Sequence, residues 1–291
     1  MSKLKEMLKS GNFVVTSEVG PPKGVNIDKL IEDAEMLKDN VVAINVTDNQ
    51  SAVVRIGSMA ISHLLAQRGI EPVYQLVTRD RNRIALQSDL LSAWALGIEN
   101  VLCITGDHPY LGDHQEAKPV YDLDSVNLVK VVTDLNNGHD MAGNELEGKP
   151  NFFHGAVVTP EYDPVDLQII KMKKKIDVGA NFFQTQAVYD TKSFEKFMNK
   201  VSTFKVPILA GIVVLKSAGM AKFMNNNVAG VFVPDDIIKE MAETPKGDRK
   251  KKAVEISARI IREIKSMCQG IHIMPLGWDD TVPQIIEQAD L

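Results

Sequence analysis

Val73-Tyr74-Gln75-Leu76-Val77 and Val101-Leu102-Cys103-Ile104-Thr105 are two short apolar runs, and between them lies a helix-period segment over 82–96 that stops at Gly97. Runs that are apolar at nearly every position, rather than at alternate ones, belong to strands covered on both faces. Such strands pair in parallel, and the intervening helix supplies the crossover that a parallel pair requires. The same unit recurs on either side. Toward the amino terminus, Val42-Ala43-Ile44-Asn45-Val46 precedes a helix predicted over 51–67 that ends at Gly69. Before it, the run 13–19 leads through Gly20-Pro21-Pro22 into the one-faced stripe Ile27, Leu30, Ile31, Ala34 and Leu37.

Toward the carboxyl terminus, strands are predicted over 152–158, 182–187, 207–214 and 271–276. Helices are predicted over 124–135, 165–178, 192–201, 218–225, 235–241 and 248–267, and a short one closes the chain. Eight strands alternating with helices over 291 residues match a single α/β (β/α)₈ TIM barrel with extra helices near the carboxyl terminus. An open doubly wound sheet is the alternative, but no Gly-x-Gly-x-x-Gly turn follows the first strand. No linker or composition shift divides residues 1–291, which read as one domain.

Composition narrows the function classes. Hydrophobic residues make up 44% and charged residues 24%, ordinary values for a globular chain. A net charge of −5 argues against nucleic acid as the main partner. The two cysteines, Cys103 and Cys268, make no disulfide framework. The amino-terminal stretch Met1-Ser2-Lys3-Leu4-Lys5 is charged and amphipathic, with no apolar core of a signal peptide, and no run approaches the length of a membrane span. A cytoplasmic protein is the expectation.

In a barrel of this kind the chemistry lies at the carboxyl ends of the strands. Glu18 stands there, interrupting an apolar run; it is either a solvated strand-end carboxylate or a buried proton donor. Asp107 follows Gly106, where a backbone can approach a ligand closely, and equally suits an Asx turn. Gln184 and Gln186 alternate on one strand, so one face is expected for both, toward a heterocycle or toward each other. Lys171 and Lys175 share a helix face and can meet a phosphate, although a solvated face is the default. Asp107, His108, Asp113 and His114 fall in one loop but match no tight zinc spacing, so no metal is expected. Cys103, in mid-strand, reads as a small buried hydrophobe.

Taken in order, Thr16-Ser17-Glu18-Val19-Gly20-Pro21-Pro22, Val46-Thr47, Ile104-Thr105-Gly106-Asp107-His108-Pro109, Asp177-Val178-Gly179-Ala180-Asn181 and Phe183-Gln184-Thr185-Gln186 form a series. It resembles the methylenetetrahydrofolate reductase family, flavin-dependent barrels of one-carbon metabolism, in the short bacterial form. The resemblance covers nearly the whole chain. It implies reduction of 5,10-methylenetetrahydrofolate to 5-methyltetrahydrofolate by hydride from reduced flavin, with FAD preferred over FMN. Glu18 then matches the general acid that protonates N10 of the folate, a role that requires burial to keep its proton near neutral pH. Asp107 matches an aspartate beside flavin and pterin, where a fixed carboxylate stabilises developing positive charge, and Gln186 a glutamine that contacts folate. Phe223 matches an aromatic that touches substrate. Thr47, Gln75, Thr105, Gly106, Tyr121 and Lys175 fall at flavin-holding positions, with Asp48, Asp122 and Lys171 as weaker matches. Three departures stand out: Thr105 replaces the family's arginine, Gln75 its histidine, and Leu276-Gly277-Trp278 its Leu-Asn-Arg.

The variant resembles the type of acetyl-coenzyme A pathway anaerobes. There the reductase works with a small zinc- or iron–sulfur-binding electron-transfer subunit rather than with NADH alone. The donor, among NADH, NADPH and such a protein, stays open, and an oligomer is expected. Two other readings are a Schiff-base aldolase or lyase, for which only Lys216 is placed, and a non-catalytic folate- or corrinoid-binding subunit. Glu18, Asp107 and Gln186 together argue against the last.

Overall fold

Eight strands close into one ring in the computed structural model, which describes residues 2–291. They are β1 (Val14–Val19), β2 (Ala43–Val46), β3 (Pro72–Val77), β4 (Asn100–Ile104), β5 (Phe153–Val158), β6 (Phe182–Ala187), β7 (Ile208–Val213) and β8 (Gly270–Met274). Every strand runs parallel to the next, and β8 returns to β1 with Val14 opposite Gly270 and Thr16 opposite His272. The strands are buried along almost their whole length. The near-continuous apolar runs are a consequence of that double covering.

The outer layer is α2 (Asp28–Leu37), α3 (Ser58–Ala66), α4 (Arg83–Ala95), α5 (Ser125–Asn136), α6 (Val165–Asp177), α7 (Thr191–Val201), α8 (Ala218–Asn227), α9 (Asp235–Glu243), α10 (Arg249–Ile264) and α11 (Thr281–Gln288), with α1 (Lys3–Lys9) ahead of the ring. Side-chain caps start several of them: Asn82 accepts from Ile84 and Ala85 N–H, Asp124 from Asn127, and Asp190 from Lys192 and Ser193. The extra helices α8 and α9 precede α10, as the sequence predicts. Among the described residues no helix is long and apolar enough to cross a membrane.

Two elements depart from expectation. The helix predicted from residue 51 begins at Ser58. The segment before it carries positive φ at Asn49 (43°), Ser51 (58°) and Ala52 (56°), conformations that a helix forbids. Tertiary contacts hold it there. The Asn49 carbonyl accepts from the Arg79 guanidinium (3.3 Å), and Gly112 packs so closely that a Cβ on it would lie 1.9 Å from the Ala52 oxygen. The second departure is α1, which seals the amino-terminal end of the barrel. Leu4 and Leu8 join Val14, Val73, Phe153, Phe182 and Leu209 in a cluster of their own. Glu71 fixes the start of α1 by accepting from Lys3 N–H (2.7 Å), Leu4 N–H (2.9 Å) and the Ser2 hydroxyl (2.8 Å). Leu4 is fully buried, so Leu4→Ala is expected to cost about 2–5 kcal/mol in denaturant unfolding. Ligand affinity at the opposite end of the barrel should stay unchanged in the same variant.

Candidate active site

A cavity of about 360 Å³ opens at the carboxyl ends of the strands, at the lower end of the range for small-molecule sites. Its walls include Glu18 from β1, Thr47 and Asp48 after β2, Gln75 from β3, Thr105, Gly106 and Asp107 after β4, and Lys171 and Lys175 from α6. Nine residues expected at a cofactor or substrate site are thus brought together from five separate elements.

Their side chains are committed to different degrees. Asp48 is enclosed and already used: it accepts from Arg81 Nη1 (2.7 Å) and from the Val77 N–H (3.0 Å). Arg79 is equally committed, bound to Asp80 (2.7 Å) and to the carbonyls of Asp107 (3.2 Å) and Asn49 (3.3 Å). It stitches the loops after β2, β3 and β4 into one rim. Thr47 Oγ1, by contrast, is enclosed and has no hydrogen-bond partner. A buried hydroxyl left alone is costly, and this one borders the cavity. At Gly106 φ is +85°, and a Cβ would press on Val77 at 3.1 Å, so the backbone there stays bare toward the cavity.

Lys175 is buried and donates to the Val157 carbonyl (2.7 Å), with Cys103 nearby on β4. Burial pulls its pKa down to about 8. The ammonium is therefore fully present below that pH and lost as pH rises through it. The Cys103 thiol, also buried, is pushed up to about 12, which leaves it protonated and inert at neutral pH.

Glu18 is buried, and its Oε2 lies 3.7 Å from Nε2 of His272 on β8. His272 is buried too, with Nδ1 3.0 Å from the Thr16 hydroxyl. His272 is absent from the residues singled out by sequence, although its signal is there: one histidine inside the apolar run of β8. Asn49, Gln50 and Ser51 also line the cavity and are absent from the residues singled out by sequence; Ser51 falls at the start of the helix predicted over 51–67.

Four expected residues lie elsewhere. Tyr121 is not on the cavity wall; its hydroxyl donates to the Gly106 carbonyl (3.3 Å) and so supports that turn. Asp122 accepts from Arg83 N–H, Nε and Nη2 (2.9, 2.9 and 2.8 Å), and that guanidinium holds its carboxyl down at about 2. Its carboxylate is thus occupied away from the cavity. Gln186 turns its amide oxygen back onto the Ala187 N–H (3.0 Å). The pairing of β6 with β7 slips between Gln184 and Ala187, which breaks the strict alternation expected of the two glutamines. Gln184 instead bonds Asn45 across the barrel interior (2.7 and 3.2 Å). Phe223 sits on α8, 60% exposed. Lys216 also misses the cavity; its ammonium donates to the Leu276 carbonyl and lies 5.2 Å from the Trp278 ring centre. Asp113 is engaged with Lys23, His114 and the Val54 N–H.

The desolvation of Lys175 has a direct test. In a carbon NMR titration of its side chain, the midpoint is expected near pH 8. A midpoint in the ordinary lysine range would show that the ammonium is not held in a dry wall.

Comparison with known proteins gives a consistent family. A family model described as methylenetetrahydrofolate reductase matches residues 3–290. Methylenetetrahydrofolate reductase 2 of Schizosaccharomyces pombe is 24% identical over 99% of this chain and 47% of its own length. The 5,10-methylenetetrahydrofolate reductase of Pectobacterium carotovorum is 27% identical over 70% of this chain and 64% of its own. The chain thus spans about half of the yeast relative and under two thirds of the bacterial one. Among solved structures, an uncharacterized protein from Clostridium thermocellum that binds two copies of 5-methyl-5,6,7,8-tetrahydrofolic acid aligns over 99% of this chain and 98% of its own. Its TM-score is 0.64 at 16% identity, a likeness of fold. A match to the family model over nearly every residue, on a barrel that gathers the expected polar groups at one mouth, places this chain in the methylenetetrahydrofolate reductase family.

Proposed function

We propose that this protein reduces 5,10-methylenetetrahydrofolate to 5-methyltetrahydrofolate with a bound flavin, FAD in preference to FMN. The observation that carries the reading is the cavity at the strand ends, in which Glu18 and Asp107 face the same space as an unpartnered Thr47 hydroxyl and two lysines. The residues suit a flavin. Thr47 Oγ1 and Gln75 offer hydrogen bonds to a heterocycle, the bare turn at Gly106 admits a flat ring, and Lys171 and Lys175 offer positive charge to a phosphate. When bound, the flavin supplies hydride.

The remaining chemistry belongs to the chain. Glu18 gives its proton to N10 of the folate as the bond from N10 to the bridging carbon breaks, and the cation left at N5 then accepts hydride. Asp107, fixed by its backbone bond to Arg79, places negative charge where that cation develops. His272 prepares the acid. The Thr16 hydroxyl lies 3.0 Å from Nδ1 of His272 and 3.4 Å from the Ile271 carbonyl, and so holds the imidazole ring in place. Nε2 of that ring faces the Glu18 carboxyl at 3.7 Å, so β8 sets a polar group beside the acid.

The folate bound by the Clostridium thermocellum protein supports a folate substrate here. The electron donor on this reading is NADH, NADPH or a small zinc- or iron–sulfur-binding protein, and anaerobic reduction with each in turn separates them.

Purified with added FAD, the protein is expected to be yellow; a colourless chain that takes up no flavin would defeat the reading. Glu18→Gln should retain the flavin while folate turnover falls by about 10²-fold or more, the scale of a general acid. Near-normal turnover in that variant would remove Glu18 from the acid role.

A further inference from the structure

A second cavity, also of about 360 Å³, adjoins the first. Glu18 and Gln50 line both, so they form the partition between the two spaces. The far walls differ. The first cavity holds Asp107 and the α6 lysines, whereas the second holds Lys29, Asp33, Arg55 and Asp279.

Within that second set Arg55 stands apart. Lys29 is paired with Asp33. The neighbouring arginines each hold a carboxylate: Arg79 that of Asp80, Arg81 those of Asp48 and Asp89, Arg83 that of Asp122. Arg55 pairs with no carboxylate among the described residues. Its Nη1 donates to the Pro21 carbonyl (3.0 Å), and its backbone N–H donates to Asn49 Oδ1 (3.1 Å), so the residue is anchored at both ends. Its Nε is enclosed and has no acceptor at all. A guanidinium keeps its charge at any physiological pH and presents its N–H groups as a rigid fork. Held in a cavity with part of that fork unanswered, it is a receptor for a planar anion, above all a carboxylate.

The partition gives the anion its place. A ligand whose reacting atoms touch Glu18 in the first cavity has a short path past Gln50 into the second. We infer that Arg55 is a substrate-binding residue that holds a carboxylate at the far end of the molecule reacting at Glu18. The inference rests on the proposed reaction, for which that carboxylate is the glutamyl end of tetrahydrofolate. The pterin end then lies in the first cavity, and Glu18 and Gln50 flank the segment that joins the two ends, where N10 is found.

Two ligands separate the tail from the ring: tetrahydrofolate, and tetrahydropteroate, which lacks the glutamate. Calorimetric binding is measured for the whole chain and for Arg55→Gln and Arg55→Lys. Arg55→Gln is expected to weaken tetrahydrofolate by about tenfold or more, the scale of a charge-assisted hydrogen bond. Tetrahydropteroate should stay within about twofold, because no carboxylate contact is lost. Arg55→Lys should recover part of the difference. Equal losses for both ligands would make Arg55 merely structural and overturn the inference, and so would no loss for either. If neither ligand binds the unaltered chain, the proposed reaction fails first. Arg55 is then judged with p-aminobenzoylglutamate alone: binding that disappears in Arg55→Gln sustains a carboxylate site, and absence of binding to the unaltered chain overturns it.

Discussion

Closure of the sheet, β8 against β1, is the constraint on which the rest depends. Thr16 lies opposite His272 in that last pairing, and it brings Glu18 within 3.7 Å of a histidine far along the chain. A ring of parallel strands also aims all eight carboxyl ends at one side. Side chains from β1, β3 and α6, with those of the loops after β2 and β4, can then share one cavity. Apart from the neighbours Thr47 and Asp48, the Thr105-Gly106-Asp107 turn and the two lysines of α6, these residues are far apart in sequence, so the site exists only when the ring is closed.

Charge at the mouth is divided between groups that build the rim and groups that remain available. Asp48, Arg81 and Asp89 are bound to one another, and Arg79 spends its guanidinium on Asp80 and on two loop carbonyls. These are scaffolding interactions: removing one partner would leave a largely buried charge unanswered. Thr47 Oγ1 and Arg55 Nε are the opposite case, polar atoms that the fold encloses but does not satisfy. Enclosed polar groups are nearly always paired in folded proteins, and these two exceptions lie on the walls of the two cavities. Asp48 is thus committed and Thr47 uncommitted, although they are adjacent in sequence and line the same cavity.

The barrel was legible because each strand and helix announces itself locally, by apolar runs and by one-faced stripes that require no knowledge of neighbours. Much of the cavity was legible for the same reason: a polar residue at the end of an apolar run is a candidate for the mouth, and Glu18, Thr47, Asp48 and Asp107 are found there. What escaped depends on contacts between distant segments. The stretch before Ser58 has a helical pattern, but Arg79 and Gly112 hold it in left-handed conformations, and so Gln50 and Ser51 come to line the site. Asp122, a weaker match to a flavin-holding position, is occupied by Arg83, and Gln186 leaves the face expected of it because the slip between β6 and β7 breaks the alternation. His272 and Arg55 are single residues whose meaning comes wholly from what stands beside them.

On the proposed reaction, the partition between the two cavities gives the carboxylate on β1 its place. A reaction that breaks a bond in the middle of a long molecule needs its acid at the middle, with room on both sides. A residue at the bottom of a single blind pocket would reach only one end. Glu18 instead stands where two spaces of equal size meet, backed by His272 from the strand that closes the ring. The Gly20-Pro21-Pro22 turn that follows carries the same strand out of the barrel, and the Pro21 carbonyl takes one N–H of Arg55. The segment that carries Glu18 therefore also anchors the guanidinium of the second cavity.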